Sequence, residues 1–210
     1  MKAAWKGLLL LAVLPLMMGC VEYEEEMWIN EDGSGSLAAK LGFSEFLGGM
    51  IGFFDKDFFD EEKLFNDFDN LAGIEIKDKD AYYDGGRRWV EIVLNFDSVD
   101  DLNRLRHHDE VPVILGKIRY DRENKREFRF RRDLDVDITS DHDHEKDSED
   151  ENIKQILSGY EWKYTVHFPG KILETNGEIV QKSRNESIVS WVFPLAELDE
   201  ESFQMEAYFK

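Results

Sequence analysis

The chain is poor in cysteine, in basic residues and in long apolar runs. It has one cysteine, and 26 Lys+Arg stand against 46 Asp+Glu, giving a net charge of −20 over 210 residues. One cysteine excludes an internal disulfide framework and a cysteine-based zinc cage. The acid excess, with a pI near 4.6, excludes a general nucleic-acid binder, because phosphates are repelled over most of the surface. The longest uncharged apolar run, residues 7–18, is shorter than the roughly 20 helical residues that cross a bilayer. Gly-x-Ser-x-Gly, the P-loop and His-Glu-x-x-His are all missing, and they are the commonest local signatures of hydrolases, nucleotide binders and zinc proteases. We therefore expect no enzymatic activity, no cofactor and no metal. At the same time, 42% hydrophobic and 13% aromatic residues are too many for a wholly disordered chain.

The first twenty residues read as an address. Lys2 and Lys6 form a basic start, residues 7–18 an apolar stretch, and Leu16-Met17-Met18-Gly19-Cys20 its end. That is the layout of a secretory signal. A small residue before a cysteine at this place resembles the lipobox of bacterial lipoproteins, with Met17 and Met18 looser than the usual pattern. The resemblance implies cleavage after residue 19, acylation of Cys20, and a lipid-anchored protein on the cell membrane or outer membrane that faces away from the cytoplasm. An ordinary secretory signal with an incidental cysteine is the plainer alternative. Two or more acyl chains are what stable anchoring needs. Removing residues 1–19 takes away two lysines and no acid, so the charge moves from −20 to −22.

Residues 20–210 read as a single β-rich domain. Val21, Tyr23, Met27 and Ile29 share one parity and Glu22, Glu24 and Glu26 the other, which is the period of a half-buried strand. Asn30-Glu31-Asp32-Gly33-Ser34-Gly35 is turn chemistry, and Leu37, Ala39, Leu41 and Phe43 resume the alternation. A second hairpin turns at Asp84-Gly85-Gly86, and a third pairs residues 113–120 with 126–138 across Asp121 to Lys125. Strands follow at 160–168, around Asn176-Gly177, at 189–193 and at 203–209. Helices are expected at 44–54, 60–71, after the N-capping Ser98, and at 148–157. The acidic segment 139–152 reads as a solvated loop or linker. The predicted class is α+β, mainly antiparallel β-sheet with a few short helices.

These motifs resemble a known family. A cysteine followed by a strand and Asn30-x-Asp32-Gly33-Ser34-Gly35 looks like the opening of LppM-type bacterial lipoproteins. Phe168-Pro169-Gly170-Lys171-Ile172, Thr175-Asn176-Gly177 and Ser190-Trp191-Val192-Phe193 are similar to that domain's close. The resemblance implies an extracytoplasmic β-rich α+β domain with an envelope-lipid role. Its motifs set shape and carry no catalysis.

Several clusters are candidates for chemistry. Asp141-His142-Asp143-His144-Glu145 is dense in ligands but has no glycine to bend it into an EF-hand loop. Asp133, Asp135 and Asp137 share a strand face, which is also what a wet face looks like. His107-His108-Asp109 lacks a partner nucleophile, and His167 stands on the polar parity of its strand. Residues 117–132 hold eight Lys/Arg and three acids. Lys117 and Arg119 on one strand, with Arg129 and Arg131 on the next, can share a face that grips phosphate or carboxylate, or be neutralised by neighbouring acidic strands. Phe46, Leu47, Met50, Phe53 and Phe54 lie in a glycine-rich apolar stretch that docks on lipid or, alternatively, packs as a core helix. The reading is a lipid-anchored envelope protein with a non-catalytic binding role. Anionic lipid or glycolipid is the first ligand and another envelope protein the alternative partner.

Overall fold

The computed structural model describes residues 21–44, 71–105, 116–134, 161–194 and 203–210. Strand β1 (Val21–Ile29) turns into β2 (Gly35–Ser44), and β3 (Ile74–Asp84) into β4 (Arg87–Phe96). Helix α1 (Val99–Arg104) precedes the hairpin of β5 (Lys117–Arg122) and β6 (Phe128–Leu134). Then come β7 (Glu161–Phe168), β8 (Ile172–Thr175), β9 (Glu178–Lys182), β10 (Ser187–Pro194) and β11 (Phe203–Phe209). They form a seven-stranded sheet, β3-β4-β2-β1-β7-β10-β9, and a four-stranded sheet, β5-β6-β11-β8. Every pairing is antiparallel except β1 with β7. The α+β, mainly antiparallel class expected from the sequence is the class observed.

The two sheets pack through the apolar parity of each strand. Met27, Leu37, Leu94, Tyr164, Val166 and Trp191 from the large sheet are buried against Ile118, Phe130, Met205 and Phe209 from the small one. Phe130 is central: its ring centroid lies 5.4 Å from Phe168 and 6.4 Å from both Tyr164 and Trp191. Offset and edge-on aromatic contacts of this kind add to the stabilisation from area burial alone.

Local chemistry sets the connections. Ser98 caps α1 by accepting from the Asp101 backbone N–H at 3.1 Å, as its sequence position suggests. Asn103 then ties the helix to β5, donating to the Ile118 carbonyl at 2.7 Å and accepting from its N–H at 2.9 Å. In the β5–β6 hairpin the turn falls two residues later than expected. Asn124 Oδ1 accepts the backbone N–H groups of Arg126 and Glu127 at 3.0 and 3.1 Å, which fixes the bend at 123–127. Gly85 and Gly86 have φ of 60° and 77°, the doubly positive pair that a two-residue hairpin turn requires.

Around Asn176-Gly177 the chain crosses between sheets, since β8 pairs with β11 and β9 with β10. Asn176 Oδ1 accepts from Trp191 Nε1 and from the Glu206 backbone N–H, each at 2.9 Å. A Cβ at Gly177 would lie 2.6 Å from the Trp191 ring. This crossing gives the Asn-Gly and Trp motif its physical reason. The helices expected at 44–54, 60–71 and 148–157 lie outside the described residues, apart from Ser44, which ends β2, and Leu71. The acidic segment 139–152 and His107-His108-Asp109 lie outside them too.

Candidate functional site

The hairpin register brings the four sequence-predicted cations onto one face. Lys117 pairs with Asp133, Arg119 with Arg131, and Asp121 with Arg129. On the other side of β6, β11 sets Gln204, Glu206 and Tyr208 beside Asp133, Arg131 and Arg129. Glu174 of β8 follows beside Tyr208. The outer face of the small sheet therefore carries Lys117, Arg119, Arg129 and Arg131 against Asp121, Asp133, Glu174 and Glu206.

The cations and acids interdigitate. Arg119 pairs with Asp133, whose other oxygen accepts from Gln204 at 2.6 Å. Arg129 Nε donates to Glu206 Oε1 at 2.6 Å, and its guanidinium lies 5.1 Å from the centroid of the Tyr208 ring. The hydrogen bond with Glu206 raises the Arg129 pKa above the usual arginine value. Arg131 Nε stands 3.9 Å from Glu206, beyond hydrogen-bond reach. Among the described residues that nitrogen has no hydrogen-bond partner. This face is a lattice of alternating charge in which Arg131 makes a looser pair with Glu206 than Arg129 does. Arginine guanidinium groups make charge-assisted hydrogen bonds to phosphate and carboxylate oxygens alike.

Asp133 is thus committed to Arg119 and Gln204, while Asp135 and Asp137 lie outside the described residues. So do Cys20, Phe46, Leu47, Met50, Phe53 and Phe54, yet the chain bounds where they attach. Cys20 immediately precedes β1, and Phe46 follows the end of β2 by two residues. Val21 and Phe43 are register partners, so the start of β1 and the end of β2 lie side by side.

A buried pair of charges between the sheets has no counterpart in the sequence reading. Arg132 of β6 meets Glu25 of β1, with Nη2 donating to Oε1 at 3.1 Å and Nη1 donating to Oε2, and both side chains are 0% exposed. The Tyr23 hydroxyl also donates to Glu25. The Arg132 guanidinium lies 4.4 Å from the Tyr164 ring centroid and 4.8 Å from that of Trp162. Burial pulls the Arg132 pKa down, but Glu25 and the tyrosines raise it by more, so the net shift is upward. Burial, then the Glu25 charge, raises the Tyr23 hydroxyl, and burial raises Tyr164. A signal was present: Glu25 and Arg132 are charges on the apolar parity of otherwise alternating strands.

His167 also gains partners that its strand alone does not show. It stacks on Trp28 with centroids 4.8 Å apart, and its ring nitrogens lie 2.7 Å from Glu26 and 3.2 Å from Glu186. It lines a groove of about 440 Å³ on the outer face of the large sheet, with Glu24, Glu26, Lys40, Glu91 and Ile188.

Two sheets closed on an aromatic core, joined by an internal ion pair and faced with paired charge, define an α+β domain. Among solved structures, the chain is similar to the folded domain of the LppM protein of Mycobacterium tuberculosis. The similarity has a TM-score of 0.52 and 13% identity, and covers 91% of this chain and 90% of that one. The resemblance read from the turn and strand motifs holds at the level of fold. No protein-family model and no curated protein matches the chain. Among the described residues, no helix is long and apolar enough to cross a membrane, and no group of three or more His, Cys, Asp or Glu is placed to hold a metal.

Proposed function

We propose that this is a lipid-anchored protein of the bacterial cell envelope whose role is non-catalytic binding of lipid or glycolipid. The observation that carries it is the Val21–Phe43 pairing. It puts the start of β1, which Cys20 precedes, beside the end of β2, which Phe46 follows by two residues, and this supports the reading. The shared fold with the LppM domain supports the reading. The arginine lattice on the small sheet supplies groups suited to headgroup phosphate. Vesicle co-sedimentation tests the ligand class. Binding should favour anionic over zwitterionic lipid, and Arg119→Glu, Arg129→Glu and Arg131→Glu together should remove the preference. Phe53→Ser with Phe54→Ser should weaken binding to both classes. An intact fold that sediments with no envelope lipid sinks the lipid reading.

A second reading, an assembly lipoprotein contacting another envelope protein, has its own support. Edge strand β9 is exposed along its whole length, with Val180 62% and Ile179 40% exposed. Bare edges of this kind accept a partner strand. Mass spectrometry of what co-purifies with the native protein separates the two: lipid favours the first and polypeptide the second.

A further inference from the structure

We propose that the end of the β3–β4 hairpin, residues 82–89, is a membrane-contacting rim that seats this domain on a phospholipid headgroup layer. The inference rests on anchoring at Cys20. It goes beyond that reading by naming the surface that touches the bilayer and the orientation that follows.

The register carries the argument. Val21 pairs with Phe43, Phe43 with Arg88, and Arg88 with Tyr83. These four residues form one row across four strands, spanning about 14 Å at the usual strand spacing. Cys20 is one residue beyond that row. In the next row, Ser44 pairs with Arg87 and Arg87 with Asp84, so the Gly85-Gly86 turn projects at the level of the anchor. Acyl chains entering a bilayer from Cys20 bring this turn to the headgroups.

The rim has the composition that such a location calls for. Residues 82–89 are Tyr-Tyr-Asp-Gly-Gly-Arg-Arg-Trp, three aromatics and two arginines against one acid, in a chain of net charge −20. Tyr83 is 60% exposed. Arg88 lies over the Tyr83 ring at 5.0 Å, and on the other sheet face Arg87 and Lys40 lie 6.0 and 4.3 Å from the Trp89 ring centroid. Each aromatic is thus held beside a cation. Tyrosine and tryptophan favour the membrane–water boundary because they join an apolar ring to a polar tip, and arginine beside them suits lipid phosphate. At the opposite end of β1, Trp28 is seven residues from Val21, roughly 23 Å along the strand, and the proposed orientation holds it away from the bilayer.

Trp89 and Trp28, at opposite ends of the large sheet, give the test an internal control. The acylated protein beginning at Cys20 is placed in vesicles of phosphatidylglycerol and phosphatidylcholine, the latter brominated near the headgroup end of its chains, and tryptophan fluorescence is measured. We expect quenching that is lost in Trp89→Phe and kept in Trp28→Phe. Phenylalanine keeps a ring at position 89, and circular dichroism reports the fold. Quenching lost in Trp28→Phe, or none while the acylated protein sediments with the vesicles, overturns the rim and leaves the anchor standing. An N-terminal peptide without acyl chains on Cys20 overturns both.

Discussion

Two arginines of β6, three residues apart, each hold a glutamate, and the pairs live in opposite surroundings. Arg132 and Glu25 are 0% exposed and bridge the two sheets, whereas Arg129 and Glu206 are 28% and 26% exposed on neighbouring strands of one sheet. Strand parity makes the difference, since residues 129 and 132 point to opposite faces. The buried pair has lost its water, so each charge depends on the other and on Tyr23, and no external ion can reach it. The outer pair keeps its water, contributes little to folding, and is free to trade partners. The same chemistry thus fixes sheet against sheet inside and leaves a solvated lattice of paired charge outside.

Breaking the inner pair should have the largest effect. Arg132→Ala strands a buried carboxylate, and we expect a loss of about 3–5 kcal/mol in urea unfolding. Glu25→Leu with Arg132→Met removes both charges and should recover most of that loss, because neither partner remains unpaired. A double variant as unstable as the single one would contradict the role assigned to the pair.

The alkaline limb comes next. Tyr23 and Tyr164 have hydroxyl pKa values raised in the folded state, chiefly by burial. A raised folded pKa stabilises fully below the unfolded value of about 10 and is lost as pH rises above it. Stability should therefore fall above about pH 10, and Tyr23→Phe with Tyr164→Phe should flatten that fall. A limb unchanged in the double variant would mean that other groups set it.

The smallest effect belongs to the outer pair. Arg129→Ala should leave the urea midpoint essentially unchanged, as exposed ion pairs do, while weakening anionic-vesicle binding. A large drop in midpoint would mean that the outer lattice is structural.

Much of this fold is written locally. Alternation marks the strands, Asp84-Gly85-Gly86 marks a turn, and Ser98 marks the cap of α1. The shared face of Lys117, Arg119, Arg129 and Arg131 follows from period 2 and one hairpin. What the sequence hides is separated along the chain. Arg132 and Glu25 are 107 residues apart, Arg129 and Glu206 are 77, and His167 and Glu26 are 141. No local period reports which acid will stand beside which base. The parallel β1–β7 pairing and the sheet crossing at Asn176-Gly177 are hidden for the same reason. Charges on an apolar parity, as at Glu25 and Arg132, are the one local hint of such a partnership.

Everything proposed for this domain rests on Cys20 as its membrane anchor, with the start of β1 facing the bilayer. Membrane fractionation of the full chain and of Cys20→Ser, washed in high salt and carbonate, tests it most directly. The parent should pellet, and the variant should be released or should keep residues 1–19 uncleaved. A variant that is cleaved after residue 19 and still pellets as the parent does would contradict it.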